Sequence, residues 1–168
     1  MGAKDYKEAA ASLQGLVAAV VTISDSRKEA TDESGRLLIE LIEGAGFSVG
    51  AYRIIRDDRD QIQQTVRQLA QEVDFIVTTG GTGMSPRDVT IEACRPLLTK
   101  ELEGFGDLFR LLSFQEIGSA AIMSRATGGA VGRAMLFCLP GSKSAVRLAT
   151  ERLILPEIKH LISHIRKV

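Results

Sequence analysis

Tryptophan is absent from this 168-residue chain, aromatic residues make up only 5%, and neither sign of charge is in excess: Lys+Arg and Asp+Glu both number 21. Balanced charge leaves no net basic field to gather the phosphate backbone of a nucleic acid, so small anionic ligands fit better than polymers. Cysteine is scarce too. Cys94 and Cys138 stand far apart with no metal-ligand spacing, which excludes a disulfide scaffold and points to a reducing compartment with both thiols in the core. No apolar run reaches the ~20 residues that a transmembrane helix requires. The nearest thing to a leader, Ala9 to Ile23, is interrupted by Gln14 and preceded by the acidic Asp5 and Glu8, unlike the basic start of a secretory signal. The expected location is therefore the cytoplasm, with no membrane partner.

What the chain has in quantity is alternation. Leu16 to Ile23 is a short β-branched apolar run of the kind covered on both faces in a parallel sheet. After a polar loop from Ser24 to Asp32, Leu37, Leu38, Leu41, Ile42 and Ala45 share one helical face, with Thr31 or Asp32 as N-cap and a stop at Gly44 and Gly46. Phe47 to Ile55 reads as a second strand. Asp58 caps a second helix carrying Ile62, Val66, Leu69 and Val73, and Phe75 to Thr79 is a third strand. This β-α-β-α-β order calls for a parallel sheet with right-handed crossovers.

The second half is less regular. Thr90 caps a short helix through Leu98, and Phe105, Leu108, Phe109 and Leu112 stripe another helix that ends near Gly118. Ile122 to Ala126 and Ala134 to Leu139 read as strands joined by a hairpin turn over Thr127 to Gly132, so one of them runs against the sheet. A last helix from Ser142 meets Pro156, which should kink or restart it. Residues 1–15 form an N-terminal extension and 16–168 a single domain.

In an open parallel sheet, ligands collect beyond the carboxyl ends of the strands. Four such ends carry unusual residues: Ser24-Asp25, Asp57-Asp58, Gly80 to Asp88, and Pro140-Gly141-Ser142. Gly80, Gly81, Thr82 and Gly83 can close backbone N–H groups around phosphate oxygens, although a plain strand-to-helix turn would read the same way. The loop is neither a dinucleotide fingerprint nor a Walker loop. Magnesium takes one or two carboxylates together with substrate phosphates, and Asp57 and Asp88 on neighbouring strand ends supply that pair. Arg87 either steadies a phosphate or pairs with Asp88.

Other candidates carry less. His160 and His164 have the spacing of a zinc pair but no intervening H-E-x-x-H glutamate and no third ligand, and fit surface residues near a helix C-terminus. Gly128 to Arg133 lacks a phosphate-loop lysine. Phe105, Phe109 and Phe114 have the spacing of core or subunit contacts.

The stretches TTGGTGMSPRDVTIEA, ELEGFGDLFRLLSFQEIGSAAIMSRA, LPGS and TISDSRKEATDESG together resemble the MoaB/Mog family of molybdenum-cofactor biosynthesis proteins from about Leu16 to Leu161, closer to the MoaB branch. That resemblance implies a three-layer α/β/α molybdopterin-binding fold, its sheet mostly parallel with one antiparallel strand. It implies an adenylyltransferase in which the terminal phosphate of molybdopterin attacks the α-phosphorus of ATP, with Mg2+ as cofactor. The family's two important aspartates fall on Asp57 and Asp88, its substrate phosphate loop on Gly80 to Gly83, a serine near the pterin pocket on Ser124, and the closing loop on Pro140-Gly141-Ser142. Many relatives read Pro-Gly-x-Pro where this chain has Pro140-Gly141-Ser142-Lys143, and some of the MoaB branch lose the Arg-Asp pair kept here as Arg87-Asp88. The family also implies a homotrimer or hexamer, and possible contact with other cofactor-biosynthesis enzymes. A non-catalytic pterin carrier and an assembly partner remain as alternatives; retention of both aspartates favours the enzyme.

Overall fold

Period-two burial organises the molecule. In the computed structural model, which describes residues 10–167, neighbouring strand residues such as Val20 and Val21, or Val77 and Ile76, enter two different apolar clusters on opposite faces of one sheet. Residues 1–9 of the expected extension lie outside the described residues. The sheet has six strands: β1 (Val17–Ile23), β2 (Ser48–Ile55), β3 (Phe75–Thr79), β4 (Lys100–Glu101), β5 (Thr127–Val131) and β6 (Ala134–Leu139). Their spatial order is β2-β1-β3-β6-β5-β4. β2, β1, β3 and β6 are parallel, while β5 runs antiparallel to both its neighbours.

Helices cover both faces, giving the expected three layers. On one side Leu38 and Ile42 of α1 (Glu33–Gly44), Phe109 of α4 (Glu103–Ile117), Val146 of α5 (Lys143–Ala149) and Ile158 of α6 (Leu155–Ile165) pack on Val20, Val77 and Phe137. On the other, Ile62, Val66 and Leu69 of α2 (Arg59–Glu72) and Ile91 of α3 (Thr90–Cys94) pack on Val21, Ile76 and Cys138. Each fully buried side chain of this size contributes about 1.5–3 kcal/mol by leaving water. Cys94 and Cys138 are free and buried. No helix among the described residues is long and apolar enough to cross a membrane.

Caps fall where the side chains allow. Asp32 accepts from the Gly35 N–H at 3.0 Å and Asp58 from the Gln61 N–H at 2.7 Å. Pro156 stands in the first turn of α6, after a π-helical segment, Thr150–Ile154, that joins it to α5. A proline has no N–H and its ring crowds the carbonyl four residues back, so the wider π turn lets the helix continue through it.

Three expectations in the second half give way. Ile122 to Ala126 is not a strand, because Gly118–Met123 forms a 3-10 helix, and the residues expected to turn, Thr127–Val131, are β5 itself. The tight turn is left to Gly132, at φ 61°, and Arg133. Glycine suits that strand because its neighbours press in: a Cβ on Gly129 would lie 2.3 Å from the Lys100 carbonyl oxygen of β4. Thr90 does not cap α3, since Val89 holds the N-cap position and the Thr90 hydroxyl instead donates to the Gly80 carbonyl at 2.9 Å. α3 ends at Cys94 and a 3-10 turn, Arg95–Leu97, built on Pro96 completes the segment. Finally, the apolar stripe of α4 splits. Phe105 and Phe109 are core, whereas Leu108 and Phe114 are 50% and 59% exposed.

Candidate active site

Strand order places the cleft. β2 and β3 lie on either side of β1, and the chain leaves β1 toward the helix on one face and leaves β3 toward the helix on the other, so the two connections diverge beyond the carboxyl ends of β1 and β3. Ser24 and Asp25 follow β1 there, Gly80 follows β3, and Pro140 follows β6, which is parallel to β3. The four strand ends expected to share one rim do so.

The loop is drawn tight against its neighbours. Gly80 and Gly81 have φ of 97° and 67°, the left-handed region that favours glycine. A Cβ on Gly80 would meet the Ile23 carbonyl oxygen at 2.3 Å, and one on Gly81 would meet Thr90 Oγ1 at 2.3 Å and Asp57 Oδ1 at 2.7 Å. The Gly80 N–H donates to the Leu139 carbonyl at 3.0 Å and the Thr90 N–H to the Gly81 carbonyl at 2.9 Å. Thr82 is buried. The Thr79 hydroxyl donates to the Pro140 carbonyl at 3.1 Å, and the Ser34 hydroxyl to the Gly141 carbonyl at 2.7 Å, tying the last loop to the first. Ser142 caps α5 by accepting from the Ala145 N–H at 3.2 Å.

Acidic groups crowd the same rim. Asp88 Oδ2 accepts from the Ser85 N–H at 3.0 Å and would lie 2.6 Å from a Cβ on Gly83. Asp25 Oδ1 accepts from the Asp57 N–H at 3.2 Å. Arg87 pairs with Asp25 at 3.1 Å, so the expected alternative of a pair with Asp88 does not form. Burial first, and then the charges of Asp25 and Asp88, push the Asp57 carboxyl above its ordinary value. A cation beside Asp57 would relieve that repulsion. Among the described residues no group of three or more His, Cys, Asp or Glu side chains gathers as a metal cluster. Two hard carboxylate oxygens beside a glycine loop are the kind of donor that could hold magnesium, which keeps waters and takes oxygen ligands.

A cavity of about 180 Å3 opens between Ser24, Gly80 and Gly141, and Thr22, Arg27, Asp32, Ser34 and Thr79 complete its wall. It is small beside the ~300–1,000 Å3 of whole-ligand pockets, so it suits an anionic end group. Larger hollows of about 630, 620 and 250 Å3 lie at the opposite end of the sheet beside Asp74 and Arg133, between α1 and α5, and between Glu92 of α3 and Arg125. None of these gathers the residues of the glycine loop.

Five of these wall residues, Thr22, Arg27, Asp32, Ser34 and Thr79, were not foreseen as part of the site, and two of them are charged. Arg27 supplies a cation and is steadied by donating to the Thr31 carbonyl at 2.9 Å. Asp32 was legible only as a cap. It is 1% exposed and also accepts from the Thr22 hydroxyl at 2.6 Å and from Tyr52 Oη. Burial, and then the Asp32 carboxylate, push the Tyr52 phenol well above its ordinary value. Tyr52 is brought there by the pairing of β2 with β1, where it stands opposite Val20. Ser124, by contrast, does not line the cavity: its N–H donates to the Ala121 carbonyl at 2.9 Å. Its neighbour Arg125 pairs with Glu92 of α3 and reaches Met84 Sδ at 4.0 Å, so the segment flanks the glycine loop.

Comparison with known proteins agrees with this architecture. A family model described as a probable molybdopterin binding domain matches residues 19–160. Molybdenum cofactor biosynthesis protein B of Bacillus cereus is 54% identical over 147 residues, covering 84% of this chain and 86% of that protein. The Bacillus subtilis protein of the same name is 45% identical over 170 residues, covering 99% of each. Among solved structures, a molybdenum cofactor biosynthesis protein B superposes with a TM-score of 0.86 at 49% identity, covering 90% of this chain and 96% of the other. The tungsten cofactor synthesizing protein MoaB from Pyrococcus furiosus gives 0.83 at 36%, covering 93% and 100%.

Proposed function

Since the chain belongs to the MoaB family of molybdenum cofactor biosynthesis proteins, we propose that it is a molybdopterin adenylyltransferase acting with Mg-ATP. An oxygen of molybdopterin's terminal phosphate forms a bond to the α-phosphorus of ATP as the bond to the bridging oxygen of pyrophosphate breaks. The products are adenylyl-molybdopterin and pyrophosphate. That phosphate is already ionised at neutral pH, so the reaction needs no strong base and depends on position and charge neutralisation.

One observation carries this reading. Asp57 Oδ1 and Asp88 Oδ2 both press against the glycine loop, 2.7 Å from a Cβ position on Gly81 and 2.6 Å from one on Gly83. In this reading Asp57 and Asp88 hold magnesium, which when bound offsets negative charge on the nucleotide phosphates. The Gly81 to Gly83 backbone cradles phosphate with the Thr82 hydroxyl beside it, while the Gly80 N–H stays on the Leu139 carbonyl and anchors the loop. Arg27 offers a further cation at the cavity wall, and Arg87 holds Asp25 across the rim. Ser24, Ser34 and the Pro140 to Ser142 loop shape the closed side. Ser124 acts at the flank rather than within the cavity.

Incubation with molybdopterin and Mg-ATP is expected to release pyrophosphate in step with adenylyl-molybdopterin. Pterin binding without pyrophosphate would replace the enzyme with the carrier. The exposed side chains of Leu108, Leu111, Phe114 and Ile117 on α4, with Ile122 and Met123 beyond it, support self-association as a trimer or hexamer. Light scattering is expected to give a mass of three or six chains, and Leu111→Glu to lower it.

A further inference from the structure

The hollow beside Asp74 takes no part in the adenylylation reading. At about 630 Å3 it is within the ~300–1,000 Å3 of sites that hold a whole small ligand, and it opens at the amino ends of β3 and β6, the end of the sheet away from the glycine loop. Three arginines and two carboxylates line it. The carboxylates are already engaged. Asp74 accepts from the Val17 N–H at 2.6 Å and pairs with Arg166, whose Nε donates in turn to the Arg133 carbonyl at 3.3 Å, and Glu72 Oε1 accepts from Gln68 Nε2 at 3.0 Å. Arg67 of α2 and Arg133 of the turn before β6 differ: among the described residues neither side chain forms an ion pair or a hydrogen bond.

A guanidinium stays charged at every pH the fold meets and presents five N–H donors in a planar fork. Two such groups therefore line one concavity from separate elements with their donors uncommitted. The last turn of α2 opposes them with about half an elementary charge, less than either arginine carries. Ala70, Val73 and Val131 supply an apolar stretch of the same wall. The structure assigns this hollow to a small phosphate ester, its phosphate between Arg67 and Arg133 and its body against those three side chains. Phosphate fits better than carboxylate because its dianion matches two guanidiniums in charge, and three terminal oxygens serve two forks at once where a carboxylate has only two. The site lies apart from the Asp57 and Asp88 rim and does not rest on the adenylylation reading.

The test exposes the full chain to phenylglyoxal, which modifies free guanidiniums, in the presence of AMP, inorganic phosphate or acetate, and reads each arginine by mass spectrometry of the digest. Arg67 and Arg133 should both be protected by AMP, less by inorganic phosphate, and not by acetate. Arg27 and Arg87 report the catalytic rim in the same digest, so the two ends of the sheet are read separately. Arg67→Gln should raise the AMP concentration that protects Arg133 by ~10-fold or more, and Arg133→Gln should do the same for Arg67, the loss expected for one charge-assisted pair. Both side chains are exposed, and an unchanged circular dichroism melt of the variants would establish that the fold is kept. Protection confined to Arg27 and Arg87, equal protection by acetate, or an unchanged AMP requirement in the two variants would overturn the assignment. So would the absence of any protection by AMP.

Discussion

The two ends of the sheet treat an aspartate in opposite ways. At the amino ends of the strands, Asp74 is fully used: one carboxylate oxygen accepts from the Val17 N–H at 2.6 Å and the other pairs with Arg166 of the C-terminal segment. At the carboxyl ends, Asp57 stands among Asp25 and Asp88 with its carboxyl pushed above the ordinary range by burial and by those neighbours. One end spends its charge on closing the fold; the other holds charge that the fold alone leaves in repulsion. Such a difference supports the proposal that the carboxyl end is the working end, because repelling charges are found where a ligand relieves them.

Four changes sharpen that contrast. Gly80→Ala should have the largest effect, since its Cβ would sit 2.3 Å from the Ile23 carbonyl at φ 97°. Left-handed strain and overpacking together cost about 3 kcal/mol, roughly 6–12 °C in a thermal melt. Asp88→Asn should keep the fold and pterin binding but lower pyrophosphate release about a hundred-fold, equivalent to about 2.7 kcal/mol of barrier. Unchanged turnover would remove Asp88 from the mechanism. Asp74→Ala should do the reverse, leaving the Arg166 guanidinium and the Val17 N–H without their partner. Its stability loss is about 1–3 kcal/mol by denaturant titration, with turnover of the folded protein kept.

The smallest effect is expected for Asp57→Asn measured as stability rather than activity. Asp57 is raised in the folded state, so whatever it contributes to stability is present below its unfolded pKa and lost as pH rises through the folded value. At neutral pH the ionised carboxylate is therefore a cost, and Asp57→Asn should melt slightly higher than wild type. That gain should vanish near pH ~4, where the unfolded carboxyl is half protonated. A lower melting temperature at pH 7 would show that Asp57 is stabilising in place, and the comparison between the two ends would fail.

Much of the first half was legible because its elements repeat a simple rule. Val17–Ile23 and Phe75–Thr79 are largely apolar and buried on both faces, and α1 and α2 begin at aspartates that the periodicity picks out as caps. The second half resisted for local reasons. Thr127–Val131 contains two glycines and looks like a turn, yet it is a strand because the Lys100 backbone and the Phe137 ring leave no room for larger side chains. β4 is only two residues long and announces itself by pairing alone. Thr90 looks like a cap by its type and position, but the loop behind it offers the Gly80 carbonyl as a better partner.

The chain by itself determined the alternating elements, the acidic and glycine-rich strand ends and their resemblance to a known family, since these depend on periodicity and residue type within short windows. Only the tertiary structure decided that Arg87 turns to Asp25, that Asp32 at the cavity wall is bonded by Thr22 and by Tyr52 behind it, and that Ser124 stays on the flank. Those outcomes hang on which strands become neighbours and how closely their loops approach. Contacts between residues dozens of positions apart are set by the packing of the whole sheet, and no local pattern encodes them.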